Sequence, residues 1–421
     1  MHQTGSGLKK RIVITGMGTL NAVANHVSGF TKSLQEGFCG IGGIDLFDTT
    51  EFRSQTGGQV KNFIARDFLP RTFALKRMSR ADKLALAATI EALRDASLDP
   101  FPEPFKEQAG VSIGGGAGGL LESETFYRDY LRNGGENAKF STLSSLFCAS
   151  STDCIASAFG LSGPKSTFMT ACSAGATAIG YARDLIVNGH ARMMIAGGVE
   201  PMSRLTFAAF NALQSVDPET CRPFDKDRAG LSLGEAAAIM ILETLDSALS
   251  RGANIYGEIL GYGITCDSFH MTAPDEQASG AVRSMRAALQ DSGRSIEDID
   301  YINAHGTATP VNDITETKAI KEVFGRRAYA IPVSSTKSMH AHTLGASGAL
   351  EGIVSVLALH HGFIPPTINH READPLCDLD YVTSGAREAD LRAVLSNSFA
   401  FGGNNTTLIF GRYSGGGAAH E

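Results

Sequence analysis

The sequence predicts an α/β fold in which helices cover parallel-rich sheets and two repeated halves pack as one body. Short β-branched runs alternate with amphipathic helical stretches along the chain, an order that is typical of layered α/β cores. Two segments of the first half also have counterparts of the same type and order in the second. We therefore place the halves at residues 10–258 and 259–412, with flexible tails at residues 1–9 and 413–421.

The chain opens with a β-branched run at residues 10–16, which predicts a strand, and continues as a helix-like stretch to about residue 36. Gly16 and Gly18 resemble the start of a dinucleotide-binding loop. The third glycine of that loop is absent, because Thr, Leu and Asn follow Gly18. We interpret the two glycines as a tight turn from strand to helix.

The first repeat is a helix followed by a buried strand. In the first half, residues 80–98 predict an amphipathic helix, and residues 109–113 predict a strand that runs into a glycine-rich segment. In the second half, residues 280–292 predict the helix, and residues 298–303 predict the strand that runs into His305.

The second repeat is a strand that enters a helix of small residues, at residues 168–178 and again at residues 333–349. Cys172 lies in the first of these junctions and His342 in the second. A lone histidine beside glycine is usually a turn residue. Because catalytic sites of α/β folds gather where strands end, we nevertheless expect Cys172, His305 and His342 to lie close together.

Cys172 is the candidate nucleophile. A thiol at the start of a helix faces unpaired N–H groups, which lower its pKa and favour the thiolate. The competing interpretation is a buried structural cysteine. The seven cysteines are scattered without a CxxC pair, so they predict neither a disulfide framework nor a zinc site.

Composition narrows the class of protein. A net charge of −7 over 421 residues gives no broad footprint for nucleic acid. No run approaches about 18 apolar residues, and the first residues lack the apolar core of a signal peptide. We therefore expect a cytoplasmic protein that binds neither nucleic acid nor membranes.

Five motifs occur in order along the chain. They are the segments around Cys172, His305 and His342, residues 222–235 (RPFDKDRAGLSLGE) and residues 397–405 (NSFAFGGNN). In this order they resemble the β-ketoacyl-acyl carrier protein synthase family, over about residues 10–412. The resemblance implies a thiolase-like fold with the layer order α-β-α-β-α.

The resemblance assigns the family's Cys-His-His triad to three residues: Cys172, His305 and His342. His340 is a near neighbour, but the family pattern His-x-x-Gly-x-x-Gly fits only His342. Lys337 and Glu351 match the family's lysine and glutamate around this loop, which implies a supporting charge network. For Glu351, an ordinary partly buried ion pair is the alternative.

The resemblance also implies a reaction. The thiolate takes an acyl group from a carrier protein, and malonyl-acyl carrier protein then loses carbon dioxide and condenses with the acyl thioester. Two neutral imidazoles stabilise the enolate. The implied oxyanion hole consists of the backbone N–H groups of Cys172 and Phe401, and residues 399–403, which include Ala400, are the implied gate. No metal, nicotinamide or nucleotide cofactor is implied.

Carrier-protein contacts are assigned in the same way. Thr307 and Thr309 match contacts to the phosphopantetheine arm, although each alone would more often be a turn residue. The acidic helix of acyl carrier protein is expected to dock on a basic cluster: Lys76, Arg77 and Arg80. A solvated helix face is the alternative for that cluster.

The chain departs from the family pattern at three places. Ala400 stands where elongating members commonly have glycine, and His340 and Ala341 replace the usual Thr-Gly before the catalytic histidine. Ala117, which the resemblance places in the acyl pocket, stands where many medium-chain-selective members have a bulkier aliphatic residue. These departures leave the reaction intact and the pathway and chain length open.

Three further interpretations compete. A chain-length factor, which pairs with a ketosynthase but lacks the nucleophile, is disfavoured because the whole triad is present. A thiolase acting on coenzyme A would need a second catalytic cysteine, and residues 397–405 contain none. A specialised polyketide or polyene synthase, paired with a chain-length factor, stays open beside a fatty-acid enzyme. Whether the protein forms a homodimer or a heterodimer, we expect the two chains to pair through residues 166–169.

Overall fold

A computed structural model describes residues 10–135 and 138–415. The expected flexible tail at residues 1–9, and residues 416–421 of the other tail, lie outside the described part. Within the described ranges, no helix has the length and apolar character needed to cross a membrane.

The strands are β1 (Ile12–Leu20), β2 (Gly42–Gly43), β3 (Thr56–Gly57), β4 (Ala109–Gly114), β5 (Lys165–Phe168), β6 (Met193–Glu200), β7 (Ala236–Thr244), β8 (Gly257–Cys266), β9 (Tyr301–Asn303), β10 (Val333–Ser334), β11 (Phe363–Ile364), β12 (Arg387–Glu388), β13 (Ala393–Phe399) and β14 (Asn404–Gly411). The helices are α1 (Val27–Glu36), α2 (Ala65–Phe68), α3 (Arg80–Asp95), α4 (Glu103–Lys106), α5 (Leu120–Asn133), α6 (Ala149–Phe159), α7 (Ala174–Val187), α8 (Arg204–Ala212), α9 (Leu245–Ser250), α10 (Ser279–Ser292), α11 (Pro310–Phe324), α12 (Lys337–His340) and α13 (Ser347–His361).

The predicted duplication is visible in the main sheet, whose strand order is β10-β9-β13-β14-β8-β1-β7-β6-β4-β5. It divides between β8 and β1, which are joined by only two residue pairs, Val13–Glu258 and Ile14–Gly257. From this joint outward, the first half runs β1, β7, β6, β4, β5 and the second half runs β8, β14, β13, β9, β10. In each half these are the first, fifth, fourth, second and third main-sheet strands in chain order. Corresponding neighbours also pair in the same direction, parallel or antiparallel. The predicted boundary after residue 258 lies just inside β8.

The expected layer order α-β-α-β-α is also present. Helices α3 and α6 cover the outer face of the first five strands, and α10 and α11 lie on the outer side of the second five. Helices α7 and α13 lie between the two sheets and contact each other. All side chains of α13 from Ser347 to Leu359 are buried, so this central layer is the core of the molecule.

Small residues let the two central helices approach closely. A Cβ atom on Gly175 would lie 2.9 Å from the backbone nitrogen of Ala349, and one on Gly348 would lie 2.7 Å from the Cβ of Ala176. The glycine and alanine residues of both junction motifs are therefore the contact surface between the halves.

The interpretation of Gly16 and Gly18 as a turn is wrong. Both glycines lie inside β1, which continues to Leu20, and α1 begins only at Val27. They are needed because α3 crosses directly over the strand: a Cβ at either position would overlap a carbonyl oxygen of Ala92 or Ala88. The glycines mark a close approach between helix and strand, not the end of the strand.

Two predicted elements are shorter than expected. The helix predicted for residues 80–98 ends at Asp95, because Ser97 has a positive φ of 58°. Of the strand predicted for residues 298–303, only Tyr301–Asn303 is extended. A 3₁₀ turn precedes it, closed by the side chain of Asp298, which accepts from the backbone N–H of Ser295 at 2.9 Å.

Replacing Gly18 with alanine should lower the free energy of unfolding by about 1–3 kcal/mol, because the new Cβ forces α3 away from β1. The matched control is Gly42→Ala in β2, where nothing lies within 4 Å of the added Cβ. The control should change stability by less than about 0.5 kcal/mol. Urea unfolding curves check both, and equal effects would contradict this packing.

Candidate active site

The three triad residues lie just beyond the carboxyl ends of three strands. Cys172 follows β5 in a 3₁₀ turn that leads into α7, and the turn is set by Ala171 with a positive φ of 48°. His305 follows β9, and His342 follows β10 and α12. Cys172 and His342 occupy equivalent positions in the repeated topology, since β5 and β10 are the third strands of their halves.

A cavity of about 330 Å³ brings most of the predicted site together. Its lining includes the triad, the predicted gate and the predicted pantetheine contacts: Cys172, His305, His342, Phe399, Ala400, Phe401, Thr307 and Thr309. The opposite wall includes residues of α8 and the segment after it, among them Phe210 and Leu213. The thiol, two imidazoles and two threonine hydroxyls therefore share one cavity.

The thiol of Cys172 does not have the lowered pKa that the sequence predicted. The side chain is only 6% exposed, and burial raises its pKa to about 12. The ammonium of Lys337 and hydrogen bonds from the backbone N–H groups of Phe401 and Cys172 act in the opposite direction but do not outweigh the burial. Burial therefore favours the neutral thiol, with the backbone N–H of Phe401 close enough to oppose that effect.

His305 is a neutral imidazole whose tautomer follows from its neighbours. Burial lowers its pKa well below the ordinary value, and the charges of Lys337 and His342 lower it further. The Lys337 Nζ lies 3.4 Å from Nδ1 and donates to the His305 carbonyl oxygen at 2.6 Å. Because an ammonium can only donate, Nδ1 is the acceptor and Nε2 carries the proton.

His342 is held by the segment that also forms the Arg-Pro-Phe-Asp motif. Its backbone N–H donates to the Ser232 carbonyl at 2.7 Å, and its carbonyl accepts from Gly234 at 2.9 Å. The ring Nδ1 lies 2.8 Å from the hydroxyl of Ser347, the first residue of α13. Burial lowers the pKa of His342 well below its ordinary value, and the ring centroid lies 5.4 Å from that of His305.

His340 lies outside the cavity. It is fully buried, its Nδ1 lies 2.8 Å from the carbonyl oxygen of Ala341, and its Nε2 lies 3.0 Å from the hydroxyl of Thr336. Burial lowers its pKa to about 3. Of the two neighbouring histidines, only His342 lines the cavity together with Cys172.

Lys337 and Glu351 form a buried ion pair on α12 and α13. The side chains are 1% and 0% exposed, so neither charge is compensated by water. Since removing one partner would leave the other charge buried, the pair fixes Lys337 beside His305. The expected charge network and the alternative of a buried ion pair describe the same contact.

Two buried carboxyl groups near the site were not predicted from the sequence. Glu316 on α11 accepts from the backbone N–H groups of His305 and Gly306, each at 2.8 Å. Glu200, the last residue of β6, accepts from the N–H groups of Gly116 at 2.8 Å and Gly345 at 3.0 Å. Burial raises the pKa of each carboxyl to about 7. An acidic residue ending an apolar strand was the available signal for Glu200.

The predicted gate is a tight turn that carries Phe401. Ala400 is extended, with φ −134° and ψ 154°, so its Cβ is accommodated without strain in this conformation. The positive φ angles fall instead on Gly402 and Gly403, at 79° and 74°. The Phe401 ring stacks on Phe210 of α8, with centroids 5.6 Å apart and planes at 13°.

Among the described residues, no group of three or more His, Cys, Asp or Glu side chains is arranged to hold a metal ion. The cavity's polar side chains include the two imidazoles and the hydroxyls of Thr307 and Thr309, which suit hydrogen bonding to a thioester and its enolate. The carboxylate of Asp267 and the carboxamides of Asn312 and Asn405 also line it.

Two family sequence models cover most of the chain: the beta-ketoacyl synthase N-terminal domain matches residues 9–248, and the C-terminal domain matches residues 256–371. The chain belongs to the beta-ketoacyl synthase family. A curated relative, 3-oxoacyl-[acyl-carrier-protein] synthase 2 of Synechocystis sp., is 45% identical over 412 residues, covering 96% of this chain and 99% of the relative.

Solved structures of ketosynthases have the same fold. The ishigamide ketosynthase/chain length factor matches with a TM-score of 0.92 and 38% identity, over 97% of this chain and 100% of that one. A type II polyketide ketosynthase in complex with its acyl carrier protein matches with a TM-score of 0.86 and 30% identity, over the same shares of the two chains. The expected thiolase-like ketosynthase fold is confirmed.

The predicted acyl-pocket residue and the predicted docking cluster both lie outside this cavity. Ala117 is not among the residues that line it, and its backbone N–H donates to Glu200 at 2.6 Å. In the docking cluster, the Arg80 guanidinium pairs with the fully buried Glu235 at 2.6 Å, and its side chain is only 15% exposed, which disfavours Arg80 as a contact. Lys76 and Arg77 are exposed, so the docking prediction is reduced to these two residues.

Ala341 is the departure from the ketosynthase pattern with a structural cost. Its φ of 67° and ψ of 178° belong to a region that glycine adopts almost alone. Its Cβ is accommodated by two glycines, because a Cβ on Gly58 or Gly234 would lie 2.8 Å or 3.0 Å from it. The two neighbouring segments thus leave room for the Ala341 Cβ, an atom that the family's usual glycine lacks.

The two cavity imidazoles should stay neutral between pH 6 and 8, because burial lowers both pKa values well below the ordinary value of about 6.5. Nitrogen-15 NMR of histidine-labelled protein checks this, with His305→Gln and His342→Gln assigning the signals. The His305 spectrum should show a proton on Nε2. A signal from either ring that titrates near pH 6.5 would contradict the geometry.

Proposed function

We propose that this chain condenses an acyl thioester, held on Cys172, with malonyl-acyl carrier protein to give β-ketoacyl-acyl carrier protein and carbon dioxide. The observation that carries the proposal is the shared cavity, in which one thiol faces two backbone N–H donors and two neutral imidazoles. The presence of the whole triad favours a catalytic subunit over a chain-length factor.

In the first half-reaction, the Cys172 sulfur attacks the acyl carbonyl of the donor. The S–H bond breaks, the S–C bond forms, and the proton leaves with the departing carrier thiol. The tetrahedral oxyanion is stabilised by the N–H groups of Cys172 and Phe401, which already converge on the sulfur. His342 is suited to relay the proton, because the Ser347 hydroxyl can either donate to Nδ1 or accept from it.

In the second half-reaction, the malonyl carboxylate leaves as carbon dioxide and its bonding electrons form an enolate. N–H groups of His305 and His342 stabilise the enolate oxygen, and Lys337 holds the tautomer of His305. The enolate carbon attacks the acyl-Cys172 thioester, the C–S bond breaks, and the thiolate takes a proton from solvent to restore the neutral thiol.

The carrier protein delivers both substrates on phosphopantetheine, and we propose no further cofactor. The hydroxyls of Thr307 and Thr309 lie 3.0 Å apart on the cavity wall, where they can bond the amides of the arm. Exposed Lys76 and Arg77 are the proposed contacts for the acidic helix of the carrier. We also propose that the protein acts in the cytoplasm.

A dimer is proposed through β5, the edge strand that leads into Cys172. The likeness to the ishigamide ketosynthase/chain length factor favours a second candidate function, a specialised synthase paired with a chain-length factor. In either pathway, we propose that Ala117, which does not line the Cys172 cavity, faces an extension of the acyl tunnel toward the partner subunit. Its small side chain would there admit longer acyl chains.

His305→Ala and His342→Ala should each slow malonyl decarboxylation by a factor on the order of 10²–10³, because each removes a donor to the enolate. Self-acylation of Cys172 should persist at least in part. Decarboxylation is measured as carbon dioxide release from malonyl-acyl carrier protein.

His340→Ala is the matched control, because His340 is equally buried but lies outside the cavity. It should lower the melting temperature while retaining decarboxylation per folded molecule. If His340→Ala is instead the variant that loses decarboxylation, the assignment of His342 is wrong.

A further inference from the structure

The ring stack between Phe210 and Phe401 joins α8 to the gate. Both rings line the cavity that holds Cys172, and their near-parallel planes, 13° apart with a centroid distance of 5.6 Å, form an offset stack. Phe401 contributes more than its ring, since its backbone N–H is one of the two donors to the Cys172 sulfur. A displacement of the ring therefore displaces an oxyanion donor.

Phe210 is the fixed partner of the stack. It lies on α8, whose Phe207 is 1% exposed in a cluster with Val216, Leu231 and Leu233. The start of α8 is held by two caps: the Ser203 hydroxyl accepts from Thr206 N–H at 3.2 Å, and Glu124 of α5 accepts from Leu205 N–H at 2.8 Å. The helix therefore presents Phe210 from an anchored position.

Phe401 is the adjustable partner. It is followed by Gly402 and Gly403, whose backbones have wide conformational freedom. The hydrogen bonds of this turn fall mainly on its two glycines: Gly402 N–H donates to the Met271 carbonyl at 2.8 Å, and Gly403 N–H donates to the Ala400 carbonyl at 3.0 Å. The Gly403 carbonyl accepts from Asp267 N–H at 2.9 Å. Phe401 itself accepts a longer bond, 3.4 Å, from Asn404 Nδ2, and the contact of its ring with Phe210 adds to these restraints.

We propose that Phe210 is a positioning residue that holds Phe401 over the cavity, which keeps Cys172 covered and the Phe401 N–H directed at the sulfur. The effect of this role on catalysis rests on the proposed function. With the stack in place, Phe401 shields the acyl-enzyme from water and keeps its N–H beside the acyl group. Loss of the stack should then favour hydrolysis of the acyl-enzyme over condensation.

The alternative is that Phe210 only fills the wall of the cavity. Phe210→Leu separates the two roles, because leucine restores apolar volume but has no flat face for the Phe401 ring. Phe210→Tyr keeps the ring and should keep the stack. Phe207→Leu is the matched control on the same helix, since Phe207 packs against Phe47 and Phe52 and does not line the cavity.

The experiment compares the parent with Phe210→Ala, Phe210→Leu, Phe210→Tyr and Phe207→Leu. Mass spectrometry follows alkylation of Cys172 by iodoacetamide, with the half-buried Cys39, which does not line the cavity, as internal control. The second readout is the ratio of acyl-enzyme hydrolysis to condensation, and melting temperatures report the stability of each variant.

Phe210→Ala and Phe210→Leu should alkylate Cys172 several-fold faster than the parent, with Cys39 unchanged. They should raise the ratio of hydrolysis to condensation by about tenfold, a fraction of the effect of deleting an oxyanion donor. Phe210→Tyr should behave as the parent, and Phe207→Leu should lower the melting temperature without changing either readout.

Parent-like alkylation and a parent-like ratio in Phe210→Leu would overturn the positioning role, as would the same result in Phe210→Ala. A parent enzyme that fails to condense its substrates would instead refute the proposed function. In that case, the alkylation rates still decide whether Phe210 covers Cys172.

Discussion

The close approach of α7 and α13 is the constraint on which the site depends. Each helix begins just after a triad residue, so packing the two helix starts together brings Cys172 and His342 to one cavity. The contact has no room for a side chain at either glycine: a Cβ on Gly175 would meet Ala349, and one on Gly348 would meet Ala176. Because α7 and α13 are equivalent elements of the two repeats, the duplication itself creates the active site.

The electrostatics of the site follow from its burial. Low exposure keeps the imidazoles neutral, which is the state in which they can donate hydrogen bonds to an enolate. The same burial keeps the thiol protonated and raises the carboxyl pKa values of Glu200 and Glu316. These two carboxyl groups accept backbone N–H groups of the loops that carry the cavity residues, so they position loops rather than substrates.

Motif positions and the repeated topology could be predicted from the sequence, because strand-to-junction patterns are local. The junctions of Cys172 and His342 were placed correctly for this reason. The ionisation of Cys172 could not be predicted, since it depends on burial beneath segments distant in sequence, and the helix terminus alone favours the opposite direction.

Contacts between distant segments account for the other errors. Gly16 and Gly18 were interpreted as a turn because the crossing of α3 over β1 has no local signal. The sequence predicts Arg80 as an exposed docking cation because its partner, Glu235, is 155 residues away in sequence. Phe210 and Glu316 were missed for the same reason, as their relation to Phe401 and His305 exists only in the folded chain.

The central claim is that Cys172 carries the acyl group between the two half-reactions. It is tested most directly by mass spectrometry of the protein after incubation with an acyl-acyl carrier protein, with peptide mapping to locate the adduct. We expect one acyl group on Cys172, lost when malonyl-acyl carrier protein is added and absent from Cys172→Ser. Product formation without an acyl adduct, or an adduct on another cysteine that malonyl-acyl carrier protein discharges, would contradict the account.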